Sequence, residues 1–192
     1  PFAIINGYDY YGKDSFRILG DWLRAHENSK GVYSIVGFEL DHTLSESGSV
    51  SRGICAYDKE QHLTDIVEHL NIAREADGKV YGDNSLTGET HVELVADNLC
   101  SMNMWGFTPD YFEKSEKIFE SFLEQNINEL KKEFYIPYAI DCMIKSGEAQ
   151  TDVLSTPSHW FGVTYKEDRP AVVAKFQEFA DKGVYPSPLY TK

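Results

Sequence analysis

The most restrictive feature of this chain is a mostly apolar segment, NLCSMNMWGF, which runs from Asn98 to Phe107 and is followed by Thr108 and Pro109. A run of this length and composition is typical of a long, mostly buried strand. Threonine is a common helix cap and proline is favoured in a first helical turn, so a helix should begin directly after the strand. The sequence therefore predicts a buried strand that leads into a helix.

The same alternation of strands and helices recurs along the chain and predicts an α/β fold. Further strands are predicted at 2–5, 32–40, 49–57, 62–70, 149–156 and 159–165, and further helices begin at Asp14 or Ser15, near Ile136, and at Asp168. The polar, glycine-containing segment 71–90 is expected to be a surface excursion, either a loop or a hairpin, from one domain that spans residues 1–192.

The composition suits a folded domain that binds small ligands. In this chain of 192 residues, 42% are hydrophobic and 14% are aromatic, which is enough for one good core. The formal net charge of -13 argues against a nucleic-acid partner, because nucleic-acid binding requires a basic face. A small phosphorylated ligand remains compatible with this charge, since a bound Mg²⁺ can supply positive charge.

Cysteine usage and hydropathy indicate the compartment. Cys55, Cys100 and Cys142 are dispersed and odd in number, which favours buried reduced thiols over a redox or zinc site. The sequence contains no apolar run of about 18 residues and no signal-peptide pattern. We therefore predict a cytoplasmic, soluble protein with no membrane partner.

The first strand is unusual because it lies at the start of the chain and has the composition of an interior strand. Residues Phe2 to Ile5 are apolar, and a buried parallel strand needs neighbours on both sides. We expect this chain to be the C-terminal part of a longer protein whose N-terminal portion would be its partner.

The opening segment FAIINGYDYYGKDSF contains Gly7, Gly12 and Lys13 at the spacing of a phosphate-binding loop. That motif requires Ser or Thr after the lysine, whereas Asp14 stands there, and bulky tyrosines occupy positions where backbone amides must approach phosphate. The alternative is that Asp9, beyond the strand, holds a hard cation that bridges phosphate oxygens. Asp9 could also simply cap a turn, and the sequence leaves this open.

Two other groups of residues could form a site. His62, Glu68 and His69 suggest metal ligands, but the H-E-x-x-H pattern is absent, which favours structural or solvent-facing histidines. Asn103 lies within the apolar strand, where a buried amide must be hydrogen-bonded by its neighbours or by a ligand. The sequence does not decide between these two roles of Asn103.

Several segments, in this order, resemble bacterial sugar-nucleotidyltransferase-like proteins over residues 2–185. They are FAIINGYDYYGKDSF, YSIVGFELDHTLSESGSVSRGIC, LTDIVEH, SMNMWGFTP, EFYIPYAID and WFGVTYKEDRPAVVAKF. The pair LSESGSVSRG and WFGVTYKEDRP is the most specific part. The resemblance covers the C-terminal two-thirds of such proteins, and nothing here matches their glycine-rich, basic loop for the triphosphate.

The resemblance implies a GT-A-like nucleotidyltransferase fold, with a mixed, mostly parallel central sheet flanked by helices. It also implies a reaction between a nucleoside triphosphate and a sugar 1-phosphate, which yields a nucleotide sugar and pyrophosphate with Mg²⁺ as cofactor. Such transfer depends mainly on positioning and charge neutralisation. The alternative function is a non-catalytic module that binds a sugar phosphate or a nucleotide sugar.

The site residues that the resemblance implies depart from the family in two places. The family motif Asn-Ala-Asp-Asp becomes Asn6, Gly7, Tyr8 and Asp9, so Asp9 has to act as the metal ligand. A carboxylate that usually follows a tryptophan is replaced by Gly162, and Asp168 is the expected substitute. The implied catalytic residues are Asp9 and Lys166, the implied metal ligands are Asp9 and Asp168, and the implied substrate contacts are Asn6, Tyr8, Arg52, Glu68, Asn103 and Trp105.

Overall fold

The computed structural model describes residues 1–45, 48–162, 169–186 and 188. The strands are β1 (Phe2–Ile4), β2 (Asp9–Tyr10), β3 (Val32–Glu39), β4 (Val50–Tyr57), β5 (Leu63–Arg74), β6 (Val80–Asn84), β7 (Val92–Leu94), β8 (Leu99–Phe107), β9 (Gln150–Thr156) and β10 (Phe161–Gly162). The helices are α1 (Gly12–Ala25), α2 (Tyr111–Asn126), α3 (Ile136–Lys145) and α4 (Arg169–Asp181), and a 3₁₀ turn spans Leu40–Thr43. The fold is α/β, as predicted.

The central sheet is mixed but mostly antiparallel, which corrects the expectation of a mostly parallel sheet. Its strand order is β7-β6-β5-β4-β8-β3-β9, with β1 also paired to β8. Among the described pairings of this sheet, β3 and β9 run parallel and the others run antiparallel. The cause is the connections, because β4 to β7 follow one another through short turns, and a parallel pair needs a long crossover such as the one that α2 and α3 provide before β9.

The first strand was expected to be buried and parallel, and this expectation is wrong. β1 runs antiparallel to β8, with Phe2 opposite Phe107 and Ile4 opposite Trp105. Its side chains are half-buried or exposed. The hydrophobic run reflects packing on one side, where the Phe2 ring stacks on Phe112 with centroids 4.7 Å apart.

Helices cover both faces of the sheet, and each face has its own hydrophobic core. On one face Leu19 and Trp22 of α1 lie against the backbone at Gly106, where an added Cβ would approach both side chains. On the other face Ala139, Ile140 and Met143 of α3 are buried with side chains of β3 and β8. Alternate residues of β3 and β8 supply the two cores, as the period of two in a strand requires.

Several element boundaries differ from the sequence predictions. α1 begins at Gly12 rather than at a cap on Asp14 or Ser15, and Gly12 has a φ of +75°. β5 is longer than predicted and extends to Arg74, and the excursion 71–90 forms a hairpin in which β6 joins the sheet. No helix within the described ranges is long and apolar enough to cross a membrane.

The three cysteines are free. Cys55 and Cys100 are buried, as predicted, whereas Cys142 is half-buried rather than buried.

Candidate functional site

A gap in the strand pairing of β8 lies along a cleft in the surface of the molecule. β3 follows one edge of β8, while the other edge pairs first with β4 at Cys100 and Ser101 and later with β1 from Trp105 onward. The described pairings leave residues 102–104 without a strand partner on that second edge. The backbone groups there are therefore free to contact side chains from elsewhere.

The gap coincides with an irregularity in β8 itself. The register with β3 shifts between Ile35 and Gly37, so two extra residues of β8 are accommodated there. Asn103 lies in this bulge with a φ of +58°, a left-handed conformation that is rare within a strand and that asparagine tolerates better than most residues. Asn103 is exposed rather than buried, which corrects the sequence-based expectation. Backbone strain of this kind is concentrated at functional sites.

The cleft has a volume of about 680 Å³ and collects side chains from distant parts of the chain. It is lined by Asn6, Tyr8, Asp9, Ser51, Arg52, Gly53, Ile66, Glu68, Ser101, Met102, Asn103, Tyr135, Pro137, Tyr138 and Trp160. The structure thus brings together six of the residues that the resemblance singles out, which are Asn6, Tyr8, Asp9, Arg52, Glu68 and Asn103.

Three other predicted residues are not seen in the cleft. Trp105 is fully buried in the core below α3 and has no exposed surface with which to touch a ligand. Lys166 and Asp168 lie outside the described residues.

Asp9 is held by hydrogen bonds to one of its two carboxylate oxygens. Asn6 Nδ2 donates to Asp9 Oδ2 at 3.0 Å, and the Tyr11 hydroxyl lies 3.2 Å from the same oxygen. That hydroxyl also accepts from the Asn6 amide at 3.1 Å and lies 3.0 Å from the carbonyl oxygen of Met102. Burial raises the pKa of Tyr11 above its usual value, so the hydroxyl keeps its proton. Tyr11 was not among the residues predicted from the sequence, because only its place in the opening motif points to it.

The other carboxylate oxygen of Asp9 is buried and has no hydrogen-bond partner among the described residues. It faces β10, because Asp9 and Gly162 are paired across the small β2–β10 ladder. A Cβ on residue 162 would lie 2.8 Å from Asp9 Oδ1, so the carboxylate uses the space that a side chain at Gly162 would need. An unpaired buried carboxylate oxygen is costly unless a cation or a donor satisfies it.

Arg52 is the only cation among the described lining residues, and its position is well defined. Its guanidinium donates to Thr43 Oγ1 at 3.1 Å and to the Ser51 carbonyl at 2.8 Å, and it lies 5.0 Å from the ring centre of Trp160. Burial lowers the pKa of Arg52 from its ordinary value, while the charges of Glu68 and Asp9 act in the opposite direction. The third guanidinium nitrogen of Arg52 donates to the Thr43 carbonyl. Within the described residues Arg52 makes no ion pair shorter than 4.0 Å, so no carboxylate in direct contact neutralises its charge.

Glu68 lies on β5, opposite Gly53 of β4. Loss of hydration raises the pKa of Glu68 above its usual value, and the charges of Arg52 and His69 oppose that shift. An ionised carboxylate is an acceptor only, which suits hydrogen bonds from ligand hydroxyls. With the exposed amide of Asn103, Glu68 therefore offers both an acceptor and a donor to a polyhydroxylated ligand.

Aromatic rings complete the lining, and the sequence analysis did not select them as site residues. Tyr135 and Tyr138 lie at the start of α3 and are largely exposed, and Trp160 lies in the segment before β10. These rings lie in the quoted segments EFYIPYAID and WFGVTYKEDRPAVVAKF, but no spacing rule separates such rings from core residues. Exposed aromatic faces are suited to stacking on sugar rings or bases.

A Mg²⁺ ion at Asp9 would depend on a single carboxylate from the described residues. Mg²⁺ is commonly held by one or two carboxylates, with water and substrate phosphate as its other ligands. Asp9 supplies one carboxylate with an unsatisfied oxygen. The described residues contain no group of three or more His, Cys, Asp or Glu side chains that could hold a metal by itself.

The histidines at 62 and 69 do not join Glu68 in a common site. His62 lies between two carboxylates, with Nδ1 3.4 Å from Asp58 and Nε2 3.8 Å from Asp152. His69 is buried, and its Nδ1 lies 3.0 Å from the Val67 carbonyl. These surroundings agree with the structural role that the sequence favoured.

Two comparisons with known proteins gave no match, so any functional assignment depends on the residues of the cleft. No protein-family model matches the chain. No curated protein matches it either.

Proposed function

We propose that this chain is a nucleotidyltransferase-like protein with a GT-A-like fold, which joins a nucleoside triphosphate to a sugar 1-phosphate. In that reaction a phosphate oxygen of the sugar phosphate attacks the α-phosphorus, and the bond to the β-phosphate breaks to release pyrophosphate. The observation that carries the proposal is the convergence of Asn6, Asp9, Arg52, Glu68 and Asn103 on one cleft.

Each of these residues has a chemical task in the proposed reaction. Arg52 offers positive charge to a phosphate, and its stacking on Trp160 holds the guanidinium in place. Glu68 and Asn103 would hold sugar hydroxyls, and the aromatic rings would cover the sugar or base. Positioning of this kind, together with charge neutralisation, supplies most of the catalysis of phosphoryl transfer.

A Mg²⁺ ion would be held by Asp9, with Asn6 and Tyr11 keeping the carboxylate in a fixed orientation. When bound, the ion would supply charge neutralisation between phosphate groups. Lys166 and Asp168 remain predicted contributors from a segment outside the described residues.

The test is a panel of nucleoside triphosphates and sugar 1-phosphates in which pyrophosphate release is measured with Mg²⁺ and with a chelator. It should be run on this chain and on the product of the whole reading frame that encodes it. Arg52→Gln should lower turnover about 100-fold, the cost typical of losing one charge-stabilising donor. Arg17→Gln, on the exposed side of α1, is the matched control and should leave turnover unchanged. Absence of pyrophosphate release with every pair would contradict the proposed reaction.

A second candidate function is a non-catalytic module that binds a sugar phosphate or nucleotide sugar. The contact between Gly162 and Asp9 favours it, because a second carboxylate cannot occupy position 162 without displacing Asp9. Calorimetry with nucleotide sugars discriminates between the two functions. Binding that is equal with Mg²⁺ and with chelator supports the module, whereas metal-dependent binding supports the enzyme.

A further inference from the structure

The buried hydroxyl of Tyr11 lies between the strand that carries Asp9 and the bulge that carries Asn103. The Tyr11 side chain is almost fully buried, at 1% exposure, and its oxygen lies within 3.2 Å of groups from three separate segments. These groups are the Asn6 amide, Asp9 Oδ2 and the Met102 carbonyl oxygen. The first segment follows β1, the second is β2, and the third is the bulge of β8 that carries Asn103.

The hydroxyl has one proton for two acceptors, so a stronger hydrogen bond to one acceptor weakens the bond to the other. A tyrosine hydroxyl has one proton to donate, and the Asn6 amide already donates to its oxygen. The proton is therefore shared between Asp9 Oδ2, at 3.2 Å, and the Met102 carbonyl, at 3.0 Å. The Met102 carbonyl lies in the gap between β4 and β1, so no strand partner on that edge competes for it within the described pairings.

We propose that Tyr11 is a positioning residue whose shared proton couples the charge on Asp9 to the Met102–Asn103 peptide. A bare carboxylate at Asp9 attracts the proton, because hydrogen bonds to ionised acceptors are the stronger ones. Neutralisation of Asp9, by a cation or by substitution, releases the proton to Met102. The hydrogen bond from Tyr11 to the bulge that presents Asn103 then becomes stronger when Asp9 is neutralised.

This coupling rests on the proposed function only for the identity of the cation and of the ligands. Under that function, Asn103, which would hold a sugar hydroxyl, would respond to the cation at Asp9. The change is confined to one peptide unit, since the carbonyl of Met102 and the amide of Asn103 belong to the same peptide. The position of the Tyr11 proton therefore affects the geometry of Asn103, the residue of β8 that has a left-handed backbone.

The sequence allows this peptide to be observed alone. The chain has three methionines, and Met102–Asn103 is its one Met–Asn pair. Labelling with ¹³C at the methionine carbonyls and ¹⁵N at asparagine therefore gives one doubly labelled peptide in the NMR spectrum. Its carbonyl shift reports the hydrogen bond at Met102.

The first arm of the experiment needs no metal. Asp9→Asn should move the Met102 carbonyl resonance in the chain that keeps Tyr11, and the same substitution in Tyr11→Phe should not move it. Tyr33→Phe is the matched control, because Tyr33 is also fully buried and its hydroxyl lies 3.4 Å from a carboxylate oxygen of Asp110, outside the residues that line the cleft. In Tyr33→Phe the response to Asp9→Asn should be retained.

The second arm titrates Mg²⁺ into the chain that keeps both Tyr11 and Asp9, where the same resonance should move in the same direction. A response to Asp9→Asn without a response to Mg²⁺ would support the coupling and contradict the metal in the proposed function. If Asp9→Asn leaves the resonance unmoved, or moves it equally in Tyr11→Phe, the coupling is overturned while the proposed reaction is untouched.

Discussion

Asp9 and Gly162 are paired across the β2–β10 ladder, and Oδ1 of Asp9 lies 2.8 Å from the place where a Cβ of residue 162 would be. This contact explains why a glycine is needed beside Asp9, one of the two carboxylates among the described residues that line the cleft. It also means that the position from which a second metal carboxylate was expected is sterically closed.

Gly162→Ala should therefore displace Asp9. Overpacking of this kind typically costs about 1–3 kcal/mol of the free energy of unfolding. Chemical denaturation measures this cost, and Gly7→Ala is the control because nothing lies within 4 Å of an added Cβ at Gly7. Equal free energies of unfolding for the two variants would show that Asp9 moves aside with no loss of stability.

Asp9→Asn should abolish Mg²⁺-dependent turnover while the fold stays intact. A carboxylate that holds Mg²⁺ between phosphates contributes several kcal/mol, or about a thousandfold in rate. In the absence of metal the variant should be at least as stable as the parent chain, because the substitution removes the charge of a half-buried carboxylate whose Oδ1 is buried and has no partner among the described residues. Turnover and denaturation with chelator are the measurements, and unchanged turnover would make Asp9 only a turn residue.

Tyr8→Asp tests whether the departure from the family motif limits activity. Tyr8 is exposed and lines the cleft, so the substitution should change the free energy of unfolding by less than about 0.5 kcal/mol. If the missing carboxylate is the defect, turnover and Mg²⁺ affinity should both rise. A fall in turnover would instead indicate that the ring contacts the ligand.

Asn103 combines a backbone role with a side-chain role, and two substitutions separate them. Asn103→Gly keeps the left-handed backbone, whereas Asn103→Ala should cost about 1 kcal/mol more in the free energy of unfolding, since φ is +58°. Both variants should lose affinity for the sugar phosphate, because both lack the amide. If Asn103→Gly binds as tightly as the parent chain, the residue serves the backbone alone.

The pH dependence of binding should report Glu68. Its pKa is raised, so the ionised acceptor is lost as pH falls through a value above the ordinary 4.5, and ligand affinity should decline from that higher pH. Because folding favours the protonated form, the contribution of Glu68 to stability is greatest below its unfolded pKa and decreases as pH rises through the raised value. Glu68→Gln should remove both dependences, and a profile unchanged by this substitution would assign the titration to another group.

The sequence alone predicted the strands and helices that are specified by residues close to one another in the chain. The apolar run before Thr108 became β8, and the proline at 137 lies in the first turn of α3, because periodicity, capping and proline geometry act within a few residues. The motif resemblance also selected six residues that line one cleft.

Tertiary structure decided the direction of the strands, the two-residue bulge at Asn103 and the contact of Asp9 with Gly162. Antiparallel pairing of β1 and β4 along one edge of β8 depends on residues about 50 to 100 positions apart, and no local pattern records which strands meet. The left-handed backbone of Asn103 arises because β8 must accommodate two extra residues opposite β3. The roles of Tyr11 and Gly162 became visible only at this level, since hydrogen bonds and steric contacts between distant segments exist only once the register of the sheets is set.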